Sequence, residues 1–503
     1  MNILLIYPEY PNTFWSFKYA LAFVRKRAAH PPLGLLTVAA MLPPEWSVRL
    51  VDTNVRRLRP ADLAWADCAF ISAMTIQRTS ADLILAQCRE ARVRVVAGGP
   101  LFTGDPGAYD AVDHLVLNEA ELTLPGFLQD LAQGTPQHLY TSPLFADVHQ
   151  SPAPRWELLD QRRYASMSVQ FSRGCPFNCD FCNVTALLGH QVRTKTSAQI
   201  IAELDSLYAQ GWREEVFFVD DNFIGNKQFL KTDLLPALVA WRKGKRGMTF
   251  YTEASINLAQ DEELMQMMVE AGFTRVFIGI ETPDDACLAE CKKFQNKNRD
   301  LLADVKCIQR SGLEVQGGFI VGFDHDNPSI FRRQIDFIQQ SGIVTAMVGL
   351  LQAPPGTRLH ERLQKEGRLR GESSGDNVDG STNILPVMDF EVLLAGYRDI
   401  LRHIYAPKHY YERLRTHLRN IGASRFRVPL RLSGIHALIL SFWRLGLVGR
   451  ERFHYWRLLF WTLCHRPRLL SQAVTLAIYG YHFRKMCDQQ VNGPVEHPTL
   501  SLG

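Results

Sequence analysis

Two long stretches of this chain alternate short apolar runs with helical segments, and that rhythm leaves few folds open. Between residues 1 and about 130, Asn2–Tyr7 (NILLIY), Val48–Val51, Ala69–Ala73, Arg94–Ala97 and His114–Leu117 read as strands, with helices at Leu33–Met41 and Ala81–Ala91. Strands that are apolar throughout and separated by helices are buried on both faces, which argues for a parallel, doubly wound sheet. Ligands on such sheets sit beyond the carboxyl ends of the strands. Those ends carry Pro8, Asp52, Ser72, Gly98, Gly99 and Glu119. The rhythm alone fits a purely structural domain equally well.

The alternation resumes at Ser168–Phe171, Glu215–Val219, Thr249–Glu253, Arg275–Ile280, Val315–Val321 and Thr345–Leu350. Six βα units predict a partial or full parallel barrel with its active site at the strand carboxyl ends. Pro136, Pro143, Pro152 and Pro154 interrupt the chain between the two stretches. Beyond the Gly/Ser/Asp-rich segment 371–383 the pattern is helical. The fold class expected is therefore α/β: a Rossmann-like doubly wound sheet, a central partial (βα)6 barrel and a mainly helical C-terminal domain. The boundaries expected are 1–140, a linker at 141–164, 165–370 and 371–503. A chain of 503 residues is too long for one core, which agrees.

A net charge of +5 is small for this length and implies no nucleic-acid partner. Its distribution is uneven: Arg402 to Lys485 holds sixteen Lys/Arg but only Glu412 and Glu451 as acids. The N-terminus lacks a basic n-region and an apolar h-region, and no run of eighteen apolar residues occurs. A cytoplasmic protein without a transmembrane helix is expected. In that compartment, clustered cysteines point to metal binding or catalysis rather than disulfides.

Three of the ten cysteines fall within eight residues, in Ser172-Arg173-Gly174-Cys175-Pro176-Phe177-Asn178-Cys179-Asp180-Phe181-Cys182. Three thiolates on one tight loop after a strand can bind three irons of a [4Fe–4S] cubane through Cys175, Cys179 and Cys182, leaving the fourth iron open. A structural zinc would need a fourth ligand, for which His190 is the nearest candidate. Cys287 and Cys291, four apart, could with Cys307 form a second cluster site; buried or surface thiols are the plainer reading. The loop resembles the radical S-adenosylmethionine superfamily, whose signature is this C-x3-C-x-aromatic-C. The resemblance implies a partial barrel, an open iron that chelates S-adenosylmethionine, and reductive cleavage to methionine and a 5′-deoxyadenosyl radical. It also implies a reductant partner such as flavodoxin or ferredoxin. Carried over position by position, it places Phe181 beside the ligand on the open iron and Asp220-Asp221-Asn222 at the methionine amino group. Glu253, Ser255 and Glu281 fall at ribose or amino groups. Gly318, within Gly317–Gly322, lies along adenine, and Arg193 or Lys195 at the methionine carboxylate.

The N-terminal stretch resembles the cobalamin-binding domain of one radical S-adenosylmethionine subgroup, through Pro31-Pro32-Leu33-Gly34-Leu35, Ala97-Gly98-Gly99-Pro100 and Asn118-Glu119-Ala120-Glu121. Cobalamin is thereby implied at Pro8, Ser72, Gly98, Gly99 and Glu119. The D-x-H-x-x-G motif is absent, because Asp113-His114 has the wrong spacing, so cobalt would bind without a protein histidine. His30, before Pro31, reads as a loop residue. The C-terminal helices interleave Trp443, Trp456 and Trp461 with arginines, which suits either a membrane surface or a cap on the barrel. The subgroup with this extra region includes enzymes that methylate hopanoid lipids, so a small-molecule or lipid substrate is expected, with a peripheral contact at the inner membrane face. The activity expected is cobalamin-dependent methyl transfer to an unactivated carbon. Two alternatives are a cyclisation, oxidation or rearrangement without methyl transfer, and an iron–sulfur binding or sensor protein without turnover.

Overall fold

The computed structural model describes residues 1–376, 378–422 and 432–492. In the first of two parallel six-stranded sheets, β1 (Asn2–Tyr7), β2 (Ser47–Asp52), β3 (Cys68–Ser72), β4 (Arg94–Gly98), β5 (His114–Val116) and β6 (Leu139–Tyr140) run in the order β2-β1-β3-β4-β5-β6. Strand order reverses at β1, opening a crevice at the carboxyl ends of β1 and β3. Alternate residues of β1 feed two cores. Ile3 and Leu5 pack with Leu35 and Ala39 on one face, while Leu4 and Ile6 pack with Ile84 and Cys88 on the other. That double burial is why the strand is apolar at every position. β6 was not legible between Pro136 and Pro143; it forms because the carbonyls of His138 and Tyr140 accept from Leu115 and Leu117 of the neighbouring strand.

The segment from 141 to 165 contains nothing longer than a turn of 3-10 helix. It is nonetheless a packed strap and not a free linker, because Trp156 and Tyr164 are buried in the main core.

The second sheet holds β7 (Ser166–Val169), then, past a small antiparallel pair β8 (Ser172–Arg173) and β9 (Arg193–Thr194), β10 (Glu215–Phe218), β11 (Thr249–Glu253), β12 (Phe273–Glu281), β13 (Glu314–Val321) and β14 (Ala346–Leu350). All pair in parallel as β14-β13-β12-β11-β10-β7, a six-stranded barrel left open between β14 and β7. Two segments close the gap. Residues 14–30 run alongside it, with the Ser166 amide donating to the Ala29 carbonyl at 3.0 Å and the Trp15 indole reaching Met347 Sδ on β14 at 2.9 Å. The helix Leu470–Asn492 backs this segment, stacking Phe483 on Phe14 at 4.1 Å between centroids.

The chain ends in helices Phe390–Tyr405, Pro407–Asn420, Leu432–Ser441, Arg452–His465 and Leu470–Asn492, matching the expected change of character. They are fastened to the barrel by the Tyr405 hydroxyl, which donates to the Ala346 carbonyl at 2.6 Å.

Candidate functional site

The cysteine loop leaves the barrel between β8 and β9. Gly174 opens it at φ +91°, and a side chain there would strike the Gln191 carbonyl at 2.6 Å, so only glycine fits. Asp220, at the end of β10 and fully buried, anchors the loop's start. Its carboxylate accepts from the Ser172 hydroxyl at 2.5 Å, the Phe171 amide at 3.3 Å and the Ser172 amide. All three thiols are free and half-buried. They act on one another electrostatically, and burial raises the pKa of each, that of Cys182 to about 12. Backbone amides of Phe177 and Val184 favour the thiolates of Cys175 and Cys182. In the absence of a cation the thiols are therefore protonated, and among the described residues no three His/Cys/Asp/Glu side chains are drawn together closely enough to hold an ion by themselves. Coordination would have to supply the ionisation. His190, the candidate fourth ligand, is exposed.

Around this loop the barrel gathers acids. Asp221 keeps one buried carboxylate oxygen without a partner among the described residues, and burial pushes its pKa up to about 6. Glu253, ending β11, is driven to about 8 by burial and then by Asp221 and Asp220; burial likewise takes Asp220 to about 7. Glu281, a non-glycine residue at φ +62°, turns its carboxylate to an ion pair with Lys293. Lys293 lies 5.9 Å from the Phe181 ring centroid, and Gln295 donates to Cys179 Sγ at 3.7 Å. Burial opposes the charge on Lys293, but Glu281 holds its ammonium ionised. Lys293 and Gln295 were missed in the sequence, since they lie more than a hundred residues from the cysteines with no spacing to link them. Asp221 and Glu253 are the acids of this group not already committed to the loop or to Lys293, and so the two open to a cationic ligand.

Several expected site residues have other employment. Asp220 shapes the loop, as described. Asn222 is turned to Ser255, accepting from its amide at 3.1 Å, and the Ser255 hydroxyl also meets Asn257 at 2.6 Å. Lys195 is not available to a carboxylate ligand, because its buried ammonium is paired with Glu203 at 2.5 Å. Arg193 and Glu119 are likewise spent on each other at 2.9 Å. Glu119 also takes Arg173 at 2.8 Å, and Arg173 takes Glu121 at 2.8 Å. This buried four-charge network ties the β5 end of the first sheet to the base of the cysteine loop; although burial opposes it, Arg173 holds the Glu121 carboxyl down to about 2. Phe181 packs edge-on to Phe323 at 6.4 Å, and Gly318 faces Phe277, whose ring lies 2.8 Å from where a side chain would begin. Cys287 and Cys291 sit in an apolar cluster, while Cys307 packs elsewhere beside the Ala259 carbonyl, so the three make no second metal site.

In the first sheet, the Pro8 carbonyl is consumed by Gln77 at 2.6 Å and Asn54 at 3.1 Å. Gly98 and Gly99 are backbone-tight: a side chain on Gly98 would meet the Val116 carbonyl at 2.5 Å and one on Gly99 the Ser72 hydroxyl at 2.5 Å. The crevice faces the barrel. Besides the Glu119 network, Tyr164 donates to buried Asp52 at 2.9 Å, and Gly375 packs against Thr75 and Ile76 beyond β3. The β5 end of the first sheet thus meets the base of the cysteine loop, while the β2 end meets the segment that leads into β7.

The barrel lumen is not filled. Along β12, Val276, Ile278 and Ile280 point into the helix-covered core, while Arg275 and Phe277 point inward. The inward set encloses a cavity of about 930 Å³, lined among others by Trp15, Phe217, Glu253, Phe277, Met347 and Ile478. His30 lies in a bend before the helix Leu33–Met41, a loop residue as expected. It lines this cavity, 3.3 Å from the Tyr251 hydroxyl, and burial, aided by Arg275, lowers its pKa to about 4.

Comparison with known proteins bears directly on this geometry. A family profile for the B12 binding domain matches residues 23–128, one for the radical SAM superfamily matches 169–338, and a domain of unknown function matches 357–494. An uncharacterized methyltransferase of Synechocystis sp. is 41% identical, covering 96% of this chain and 91% of that protein. The hopanoid C-2 methylase of Rhodopseudomonas palustris is 35% identical over 91% of this chain and 88% of its own. The chain belongs to the cobalamin-binding radical S-adenosylmethionine enzymes. Two solved members share the fold. TsrM from Kitasatospora setae, with cobalamin and a [4Fe–4S] cluster bound, superposes with a TM-score of 0.61 at 15% identity, over 97% of this chain and 100% of that one. OxsB, with aqua-cobalamin and S-adenosylmethionine bound, gives 0.62 at 13% over 98% and 84%.

The cofactors of this radical S-adenosylmethionine family are a [4Fe–4S] cluster, S-adenosylmethionine and cobalamin. The residues present fit them. The loop offers three thiols with amide donors already aimed at two of them, the unpartnered oxygen of Asp221 awaits a donor, and the crevice at β1 and β3 opens toward the loop.

The acid cluster has a measurable consequence. Burial lifts Glu253 from the ordinary carboxyl value of 4.5 to about 8 in the folded chain. Between these values the folded chain holds a proton that the unfolded chain has released, so this group's stabilisation is lost as pH rises toward 8. The Glu253→Gln variant is expected to flatten the decline in unfolding free energy of the metal-free protein between about pH 5 and 8, as read by urea titration.

Proposed function

We propose that this protein is a cobalamin-dependent radical methylase acting on an unactivated carbon of a large, mostly apolar molecule held in the barrel lumen, and that it works at a membrane surface. The carrying observation is the cavity, which starts at Glu253 beside the cysteine loop and has aromatic and aliphatic walls. Cavities of several hundred Å³ are the usual size for ligand sites. The hopanoid C-2 methylase acts, by its name, on a rigid apolar lipid, and that class suits these walls.

In this reading Cys175, Cys179 and Cys182 hold three irons. Asp221 and Glu253 receive the cationic amino group of S-adenosylmethionine, while Ser255, Glu281 and Gly318 border the nucleoside and Phe181 covers it. Ser72, Gly98 and Gly99 form the edge on which the corrin rests. When bound, the cluster supplies an electron for S-adenosylmethionine cleavage and the corrinoid supplies the methyl group, with a reduced flavodoxin or ferredoxin as electron source. The chain itself positions, excludes water and neutralises charge. The divisions at 140, 165 and 371 separate these three tasks. Anaerobic turnover with methyl-deuterated S-adenosylmethionine and a hopanoid extract is expected to give a lipid heavier by one labelled methyl, together with 5′-deoxyadenosine. Deoxyadenosine without methylated lipid would shift the reading to a radical reaction of another kind.

The membrane reading rests on the C-terminal helices. No helix among the described residues is long and apolar enough to cross a bilayer. Yet Phe453 and Phe460 are 74% and 72% exposed, Ile439 and Trp443 63% and 60%, with Leu447 and Val448 beside them. Arg450, Arg452 and Arg457 fringe this face, and its acid Glu451 is buried against Arg484. An apolar face edged by arginines matches an anionic bilayer. Burying two of these aromatics contributes about 3–6 kcal/mol. The F453S/F460S variant, altered only at exposed positions, is expected to lose at least about 90% of its co-sedimentation with vesicles containing phosphatidylglycerol, a loss of at least about 1.4 kcal/mol per decade of affinity.

A further inference from the structure

We infer that the apolar substrate enters the barrel through its floor, directly from the bilayer, and not from the strand carboxyl ends. This inference rests on the apolar-substrate reading above. At the upper end the buried Arg173–Glu119–Arg193 bridge joins the β5 end of the first sheet to the base of the cysteine loop, beside the residues assigned to the cofactors. The lower end is different. β10 and β13 begin there with Glu215 and Glu314, and Gln472 reaches Glu314 at 2.9 Å, which places the turn at 467–472 beneath the strands. The lumen continues down between that turn and the helix Leu432–Ser441, where Ala437 and Leu438 line it, and it meets exposed Pro467, Arg468, Ser471 and Thr475.

The same helix shows its other face to the outside through Ile435 and Ile439, which continue into Trp443, Leu447 and Val448. The mouth of the cavity is therefore set in the apolar, arginine-fringed surface itself. A lipid leaving the bilayer there would follow Ala437, Leu438, Leu470 and Val474 past the Arg275–Glu215 pair, whereas a route through the upper face would cross the charged bridge. Inside, one polar group is ready for it. Arg275 pairs with Glu215 at 2.7 Å and stacks on Tyr251 at 4.1 Å, but its Nε has no partner among the described residues. With Glu215 and Glu314 already balancing the guanidinium, this station suits a neutral hydroxyl and not an anionic headgroup.

The test narrows the mouth at two exposed positions, with Ser471→Trp and Thr475→Trp made together and S471A/T475A as the size control. In the metal-free protein, Nile red is expected to show a saturable site in wild type and control that falls at least tenfold in affinity in the tryptophan variant. In the loaded enzyme the same variant is expected to lose at least tenfold in methylation of vesicle-embedded hopanoid while cluster absorbance and uncoupled 5′-deoxyadenosine formation stay at wild-type levels. Unchanged dye affinity, or unchanged methylation with the mouth narrowed, would overturn the floor route. If wild type methylates no lipid, the substrate reading fails on its own, and the dye titration still decides whether the lumen opens here.

Discussion

Replacing any one of Cys175, Cys179 or Cys182 by alanine is expected to abolish both the charge-transfer absorbance of the anaerobically reconstituted protein and its cleavage of S-adenosylmethionine. The loop offers three thiols and nothing to replace one that is lost. His190 is exposed, and Cys291, the next thiol near Cys179, is buried with its Sγ directed to the Leu288 carbonyl at 3.7 Å. Each thiol is protonated without metal, so coordination must offset the cost of ionising it in a buried setting, and two ligands share that cost poorly. Cys464→Ala, at an exposed position outside the site, is expected to leave iron content and cleavage unchanged. Iron analysis and chromatographic quantification of 5′-deoxyadenosine read both results. A Cys179→Ala protein that kept a full cluster and cleavage would mean another side chain serves.

The second large effect is expected at Arg173. It donates to Glu119 and Glu121 at 2.8 Å each and to Gln170 at 2.8 Å, two residues before Cys175. All four charges of the network are at most 14% exposed. Removing one partner leaves the others buried and uncompensated, which typically costs about 3–5 kcal/mol. Arg173→Met should therefore lower the unfolding free energy by about that amount and loosen the loop that carries the thiols, so that the reconstituted protein sheds iron faster. Pairing it with Glu121→Gln should restore part of the loss, because charges are then removed together. Denaturant titration of the single and double variants gives the coupling; additive losses would show that the network is not a unit.

Much of the fold was legible because the strands are apolar on both faces. β1, β11 and the helix Leu33–Met41 appear at the residues expected. β6 escaped notice because two residues carry no periodicity. The cysteine loop stood out in the sequence because its three thiols lie within eight residues. The rest of the site could not. Which acids are free and which are spent depends on partners far away in sequence: Lys195 finds Glu203, Glu119 finds Arg173 and Arg193, and Lys293 arrives from beyond β12. A strand-end carboxylate looks the same in sequence whether it keeps an oxygen unpartnered among the described residues, as Asp221 does, or clamps a loop, as Asp220 does. The lumen was equally hidden, because an inward residue and a core residue differ only in the parity of the strand.

The most direct test of the account is the electron paramagnetic resonance spectrum of the reduced, reconstituted protein before and after S-adenosylmethionine is added. With three thiolate ligands and one exchangeable iron corner, the signal of the reduced cluster is expected to shift on addition. A spectrum that S-adenosylmethionine leaves untouched, in protein holding four irons per chain, would contradict it.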